Sequence, residues 1–167
     1  LASGVVSLRE ALILLALLLV VGFVVLLQFN SYVLVWGFVA VALAMVYPLM
    51  KRITFYPQIF LGLAFNYGII MASLQVQGKL SSSALVLYLA CILWTLIYDS
   101  IYAFQDIEDD IKIGVKSSAI IFKNHPKQIL QSLAVAMFAL LGAIGFIEKF
   151  AYHYFLILVL AFFYLSC

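Results

Sequence analysis

Five of the seven acidic residues in the chain fall within twelve positions: Asp99, Asp106, Glu108, Asp109 and Asp110. If residues 94–110 continue as one helix, Asp106 and Asp110 stand at i and i+4, one above the other. Asp99, Asp106 and Asp110 then follow i, i+7, i+11 and share a single stripe. Carboxylates stacked this way repel one another unless a cation lies between them. Mg²⁺ suits that position, because it takes hard oxygen ligands and bridges one or two carboxylates to substrate phosphates. The competing reading is a solvated loop whose acids only aid solubility, offset by Lys112 and Lys116.

A second group of residues bears on the choice. Tyr47 and Lys51 are also i and i+4, and Arg52 follows directly, although Pro48 between them is a residue able to disturb a helix. Lys51 offers a point charge and Arg52 a forked donor, both suited to phosphate oxygens. Basic residues at the end of a membrane span are also ordinary anchors, and Tyr47 an ordinary interfacial aromatic. Together with the acidic stripe, they suggest a diphosphate held between a metal and a cation.

The elements that must position these groups follow from composition. Of 167 residues, 68% are hydrophobic and 10% charged, against about 45–50% apolar and about 25% charged in a soluble domain. Lipid must be the solvent for most of this surface, and neither a soluble enzyme nor a nucleic-acid binder fits. The charge-free stretch from Ala11 to Met50 would make about 60 Å of helix, twice a hydrocarbon core of about 30 Å. It must turn back once, and Gln28-Phe29-Asn30-Ser31 is the place. Spans are expected near 7–27, 32–49, 57–77, 82–99, 127–147 and 150–167, an all-α polytopic membrane bundle. Pro57 and Pro126 suit helix starts, since the missing N–H would be unbonded there. Apolar runs of this length favour helices over barrel strands of about 9–11 residues.

Six spans place Arg9, Lys51, Arg52, Lys112, Lys116, Lys123 and Lys127 on one side and only Lys79 and Lys149 on the other. The positive-inside rule puts the first side, with both constellations, in the cytoplasm or its mitochondrial equivalent. Ala40 and Ala44 form a small-residue pair suited to helix packing. His125, His153, Cys91 and Cys167 form no transition-metal or disulfide pattern. The chain begins at Leu1 and stops at Cys167 inside an apolar run, and is expected to be a segment of a longer polypeptide.

The window Tyr98-Asp99-x-x-Tyr102-Ala103-x-x-Asp106-x-x-Asp109-Asp110-x-x-x-Gly114-x-Lys116-Ser117 closely resembles the second aspartate-rich motif of the UbiA superfamily of intramembrane prenyltransferases. It is most similar to the branch acting on 4-hydroxybenzoate. Tyr47-Pro48-x-x-Lys51-Arg52-x-Thr54-x-x-Pro57-Gln58 resembles that branch's Y-x-x-x-K region, and Leu61–Asn66 its following helix. Leu1-Ala2-Ser3-Gly4 resembles the segment just after the first aspartate motif.

The resemblance implies about nine helices around a polar cavity, with these six central and the first aspartate motif absent, so the chain alone is not expected to turn over. It implies transfer from a polyprenyl diphosphate to an aromatic acid, with Mg²⁺ as cofactor. Asp106 and Asp110 are then the leading metal ligands, with Asp109 and Asp99 subsidiary. Lys51 is the expected diphosphate contact, aided by Arg52 and Lys116 and bordered by Tyr47. Asn66, inside a span, is the polar candidate for touching the aromatic substrate, against the alternative of an interhelical hydrogen bond. Other acceptors (a naphthoate or homogentisate), an inactive truncated product, or a cation-binding transporter fragment are the alternatives.

Overall fold

The computed structural model describes residues 6–166, without the Ser166 side chain, and all regular structure among them is helical. The resemblance noted at Leu1-Ala2-Ser3-Gly4 lies outside the described residues. Local signals set most helix starts. In α1 (Leu8–Leu26) the Ser7 hydroxyl accepts from the Glu10 N–H while the Glu10 carboxylate accepts from the Ser7 N–H, a reciprocal cap. Asn30 caps α2 (Ser31–Ile53) through its side-chain oxygen, 2.8 Å from the Val33 nitrogen. Pro57 opens α3 (Pro57–Phe65) and Pro126 opens α8 (Pro126–Ile147), while Ser81 caps α5 (Ser82–Ala103). The remaining helices are α4 (Gly68–Gln77), α6 (Ile107–Ile113), α7 (Ser118–Phe122) and α9 (Tyr152–Ser166).

Five stretches are long and apolar enough to cross a membrane: Leu8–Leu26, Ser31–Ile53, Pro57–Gln77, Ser82–Ala103 and Pro126–Ile147. The chain is an integral membrane protein of all-α class, as its composition indicates. The expected sixth span, 150–167, is a shorter apolar helix of 15 residues among those described, about 22 Å long.

Two expectations change. The third span is not one helix, because the ladder gives way to i→i−3 bonds across Asn66 and Tyr67 (Tyr67 N–H to Ala64 O, Ile69 N–H to Asn66 O, Ile70 N–H to Tyr67 O). The cause is local: the Asn66 side chain competes for the Gly62 carbonyl, and Gly68 propagates a helix poorly. Nor does a helix run through 94–110. The α5 helix ends at Ala103, and Gln105 and Asp106 close tight turns onto Tyr102 O and Ala103 O. Pro48, by contrast, lies inside an α2 that continues to Ile53.

The hub is α5, which packs on α8 along one flank and on α3 and α4 along another; α2 rests on α3 and α4, and α9 on α8. One core gathers Val33, Tyr67, Ile70, Leu74, Tyr88 and Ile92, with Ala40 of the small-residue pair packed against it. A second gathers Ala90, Ile97 and Met137. The α3–α5 approach depends on Gly62, where a Cβ would sit 3.1 Å from the Ile92 Cα. In α1 no side chain is buried.

Candidate functional site

The polar groups of interest gather where α2 ends, α3 begins and α5 ends. Lys51 and Tyr47 lie on one face of α2, with the Lys51 Nζ 5.8 Å from the Tyr47 ring centroid, a cation–π distance. Asp99, on the last turns of α5, is half-buried. Its carboxylate lies against the Gln58 side-chain amide of α3 and within Coulombic range of Lys51. An intramembrane carboxylate is favoured by such neighbours, and two stand near it here on different helices.

After α5 the chain leaves the bundle and returns to it. Asp106 precedes α6, and the Asp110 N–H donates to the Asp106 carbonyl at 2.8 Å. The i, i+4 relation of these two therefore survives, one turn apart at the start of α6. Asp99 is separated from them by the turn at 104–106, so the expected three-carboxylate stripe is not continuous. Asp109 points elsewhere: it forms an exposed ion pair with Lys112 at 3.1 Å. No three His, Cys, Asp or Glu side chains converge on one point among the described residues. Asp106 and Asp110 still offer the hard oxygen donors that Mg²⁺ uses when a substrate phosphate completes its shell, so the pair fits that ion.

Gly114, at φ 73°, turns the chain back. The return is firmly seated. The Lys116 N–H donates to Lys51 O at 2.9 Å, and its ammonium donates to Ile53 O at 3.0 Å, 5.2 Å from the Phe55 ring centroid. A cation on the terminal carbonyls of α2 is favoured by that helix's negative end. Next, the Ser118 N–H donates to Gln58 Oε1 at 3.2 Å, and the Ser118 hydroxyl pairs with that of Ser100, which in turn donates to Leu96 O. Gln58, Ser100 and Ser118 are all buried. The Ser117 hydroxyl, buried beside them, has no hydrogen-bond partner among the described residues.

The structure thus brings Lys51, Asp99 and Lys116 to one end of the bundle and leaves Arg52 exposed beside them. Asn66 sits elsewhere, in the joint between α3 and α4. Its Nδ2 donates to Gly62 O (2.9 Å), Cys91 O (3.2 Å) and Thr95 Oγ1 (2.9 Å), the interhelical alternative weighed against substrate contact. Sequence reading missed Gln58 and the Ser100–Ser118 pair. The usable signal was an amide directly after an N1 proline, in the apolar first turn of a span.

Beside this end, α5 and α8 flank an apolar groove of about 620 Å³ lined by Trp94, Tyr98, Ile101, Leu130 and Met137, with Lys127 on its rim. A further cavity of about 350 Å³ shares Trp94 and Met137 with it and reaches α9.

Fold and site define a polytopic membrane protein with its charged groups concentrated at one end of an apolar bundle. The chain matches the UbiA prenyltransferase family over residues 1–167 and belongs to it, as the aspartate-rich motif indicated. It is 47% identical over 146 residues to a 4-hydroxybenzoate octaprenyltransferase of Pseudomonas aeruginosa (strain UCBPP-PA14), covering 86% of this chain and 49% of that one. A protein of the same description from Actinobacillus pleuropneumoniae serotype 5b is 44% identical over 161 residues, covering 96% and 55%. The fold matches the apo structure of a UbiA homolog from Aeropyrum pernix K1 with a TM-score of 0.79 at 27% identity, covering 96% of this chain and 62% of that one. The chain spans about half the length of the curated relatives it matches.

Proposed function

We propose that the protein transfers a prenyl group from a polyprenyl diphosphate to a ring carbon of 4-hydroxybenzoate, as a step toward ubiquinone. The gathering of Lys51, Asp99 and the acidic turn at one end of the bundle, in a chain 44–48% identical to proteins so described, carries this reading. The chemistry requires the allylic C–O bond to break, the electron-rich ring to attack the resulting cation, and the ring proton to leave. Lys51 donates to a diphosphate oxygen, with its ammonium oriented by the Tyr47 ring and the nearby Asp99 carboxylate. Arg52, exposed at the same end, is a further phosphate donor, whereas Lys116 holds the returning chain in place. Asp106 and Asp110 are the residues that would hold Mg²⁺, with Asp109 available only if its ion pair with Lys112 opens. When bound, Mg²⁺ neutralises charge developing on the leaving diphosphate. The α5–α8 groove excludes water, which would otherwise capture the cation. The faces of Trp94 and Tyr98 offer that cation further stabilisation.

The site end faces the cytoplasm in this reading, consistent with the excess of Lys and Arg on that side, and the membrane is a bacterial inner membrane. The test supplies membranes containing the intact gene product with radiolabelled polyprenyl diphosphate and one acceptor at a time. Label in prenylated 4-hydroxybenzoate is expected. Transfer only to a naphthoate or to homogentisate, or no transfer at all, overturns the assignment.

A further inference from the structure

Gln58 has a place that the proposed chemistry does not yet use. Its side chain is 3% exposed, at the start of α3 between the end of α5 and the start of α7. A buried primary amide must find partners for both its ends. The Oε1 end accepts the Ser118 N–H at 3.2 Å. With the oxygen so engaged, the end left for other groups is Nε2, a donor only, and the group lying against the amide is the Asp99 carboxylate. The Ser118 N–H fixes the amide's orientation, and an ionised carboxylate, which only accepts, is matched to the Nε2 end.

We infer that Gln58 is a positioning residue, a two-ended amide bridge that fixes the return of the acidic segment with its oxygen and orients Asp99 with its nitrogen. The inference rests on the proposed prenyl transfer, because Asp99 matters only if that end of the bundle is the reaction site. The bridge has a specific geometric role. Ser118 follows Lys116 by two residues, so the Gln58 oxygen, the Ser100 hydroxyl and the α2 carbonyls together hold residues 116–118. The Asp106–Asp110 turn hangs from this seat at one end and from α5 at the other. Its distance from Asp99 and Lys51 is therefore set partly through Gln58. The alternative occupant of the position, a purely apolar side chain, would leave the Ser118 N–H and the Asp99 carboxylate without this partner.

Two substitutions separate the bridge's two ends. Gln58→Glu keeps an oxygen for the Ser118 N–H but replaces the donor facing Asp99 with a like charge. Gln58→Leu removes both. Hydrogen–deuterium exchange of the peptide containing Ser118, measured in nanodiscs on the intact protein, reads the oxygen end without requiring activity. Exchange at Ser118 is expected to be about tenfold faster in Gln58→Leu and unchanged in Gln58→Glu. Transfer is expected to fall about 10-fold to 100-fold in kcat for Gln58→Glu, with KM for the prenyl diphosphate within about twofold. Gln58→Asn, a shorter amide, should recover part of the rate lost in Gln58→Leu. Unchanged Ser118 exchange in Gln58→Leu, or undiminished kcat in Gln58→Glu, overturns the bridge. Failure of the prenyl-transfer reading is distinguishable, since the parent itself would then transfer nothing while the exchange result still reads the Gln58–Ser118 contact.

Discussion

Replacing Asn66 by Leu tests whether the joint in the third span is structural. The amide nitrogen has two protons and three acceptors within 3.2 Å: Gly62 O, Cys91 O and Thr95 Oγ1. Two of these acceptors keep another donor after the substitution. Gly62 O retains the Asn66 backbone N–H at 3.1 Å, and Cys91 O retains the Thr95 hydroxyl at 3.0 Å. No carbonyl is orphaned, so the loss is limited to the two bonds the amide protons can make at once. Interhelical side-chain hydrogen bonds in membrane bundles average about 0.6 kcal/mol each with a ceiling near 1.7. The expected destabilisation is therefore about 1.2 kcal/mol, an approximately eightfold shift in the unfolding equilibrium. Reversible unfolding of the chain in mixed micelles measures this, followed by tryptophan fluorescence from Trp94 on the partner helix α5. A double-mutant cycle with Thr95→Val should return a coupling of about 0.6 kcal/mol, because those two side chains share one bond. Unchanged stability together with zero coupling refutes the structural assignment. If the KM for the aromatic acceptor also rises, Asn66 is a substrate contact.

Asp106→Ala or Asp110→Ala in the intact protein should abolish transfer while membrane insertion, read by carbonate extraction, is unchanged; near-normal turnover in either overturns their assignment as metal ligands. Gly62→Val should destabilise by about 1–3 kcal/mol as an overpacking substitution, because even its Cβ would lie 3.1 Å from the Ile92 backbone; equal thermal stability in detergent would show that α3 and α5 can separate freely. Lys112→Ala breaks the exposed pair with Asp109 and should leave the melting temperature unchanged, since such pairs contribute little. The same variant frees Asp109, so a lowered Mg²⁺ requirement for transfer would show that the pair competes with the ion.

The parts of this protein that sequence reading reached are those decided within a turn or two of the residues concerned. Pro57 and Pro126 open helices where expected, and the caps that Ser7 with Glu10, Asn30 and Ser81 supply act through neighbours three positions away. The i, i+4 pairs Tyr47–Lys51 and Asp106–Asp110 hold for the same reason. The turn at 104–106 was not legible, because the window contains neither glycine nor proline and the helix pattern runs straight through it. The joint at Asn66 was visible only as two alternatives, since the deciding acceptors lie 25 and 29 residues further along. Gln58 was hidden for a similar reason. Its partners are at Asp99 and Ser118, and only tertiary packing brings them to it.

The same separation has a consequence during synthesis. Asn66 enters the membrane with α3 and α4, before Cys91 and Thr95 have emerged behind them on α5. At about 5–20 residues per second, Thr95 emerges on the order of a few seconds after Asn66. Throughout that interval the half-made protein carries a polar amide in mid-bilayer with only the Gly62 carbonyl, one turn behind it, as a provisional partner. The Asn66 amide thus makes the third span dependent on the arrival of the fourth. A ribosome stalled between them would present the insertion machinery with a segment unable to complete its own hydrogen bonding.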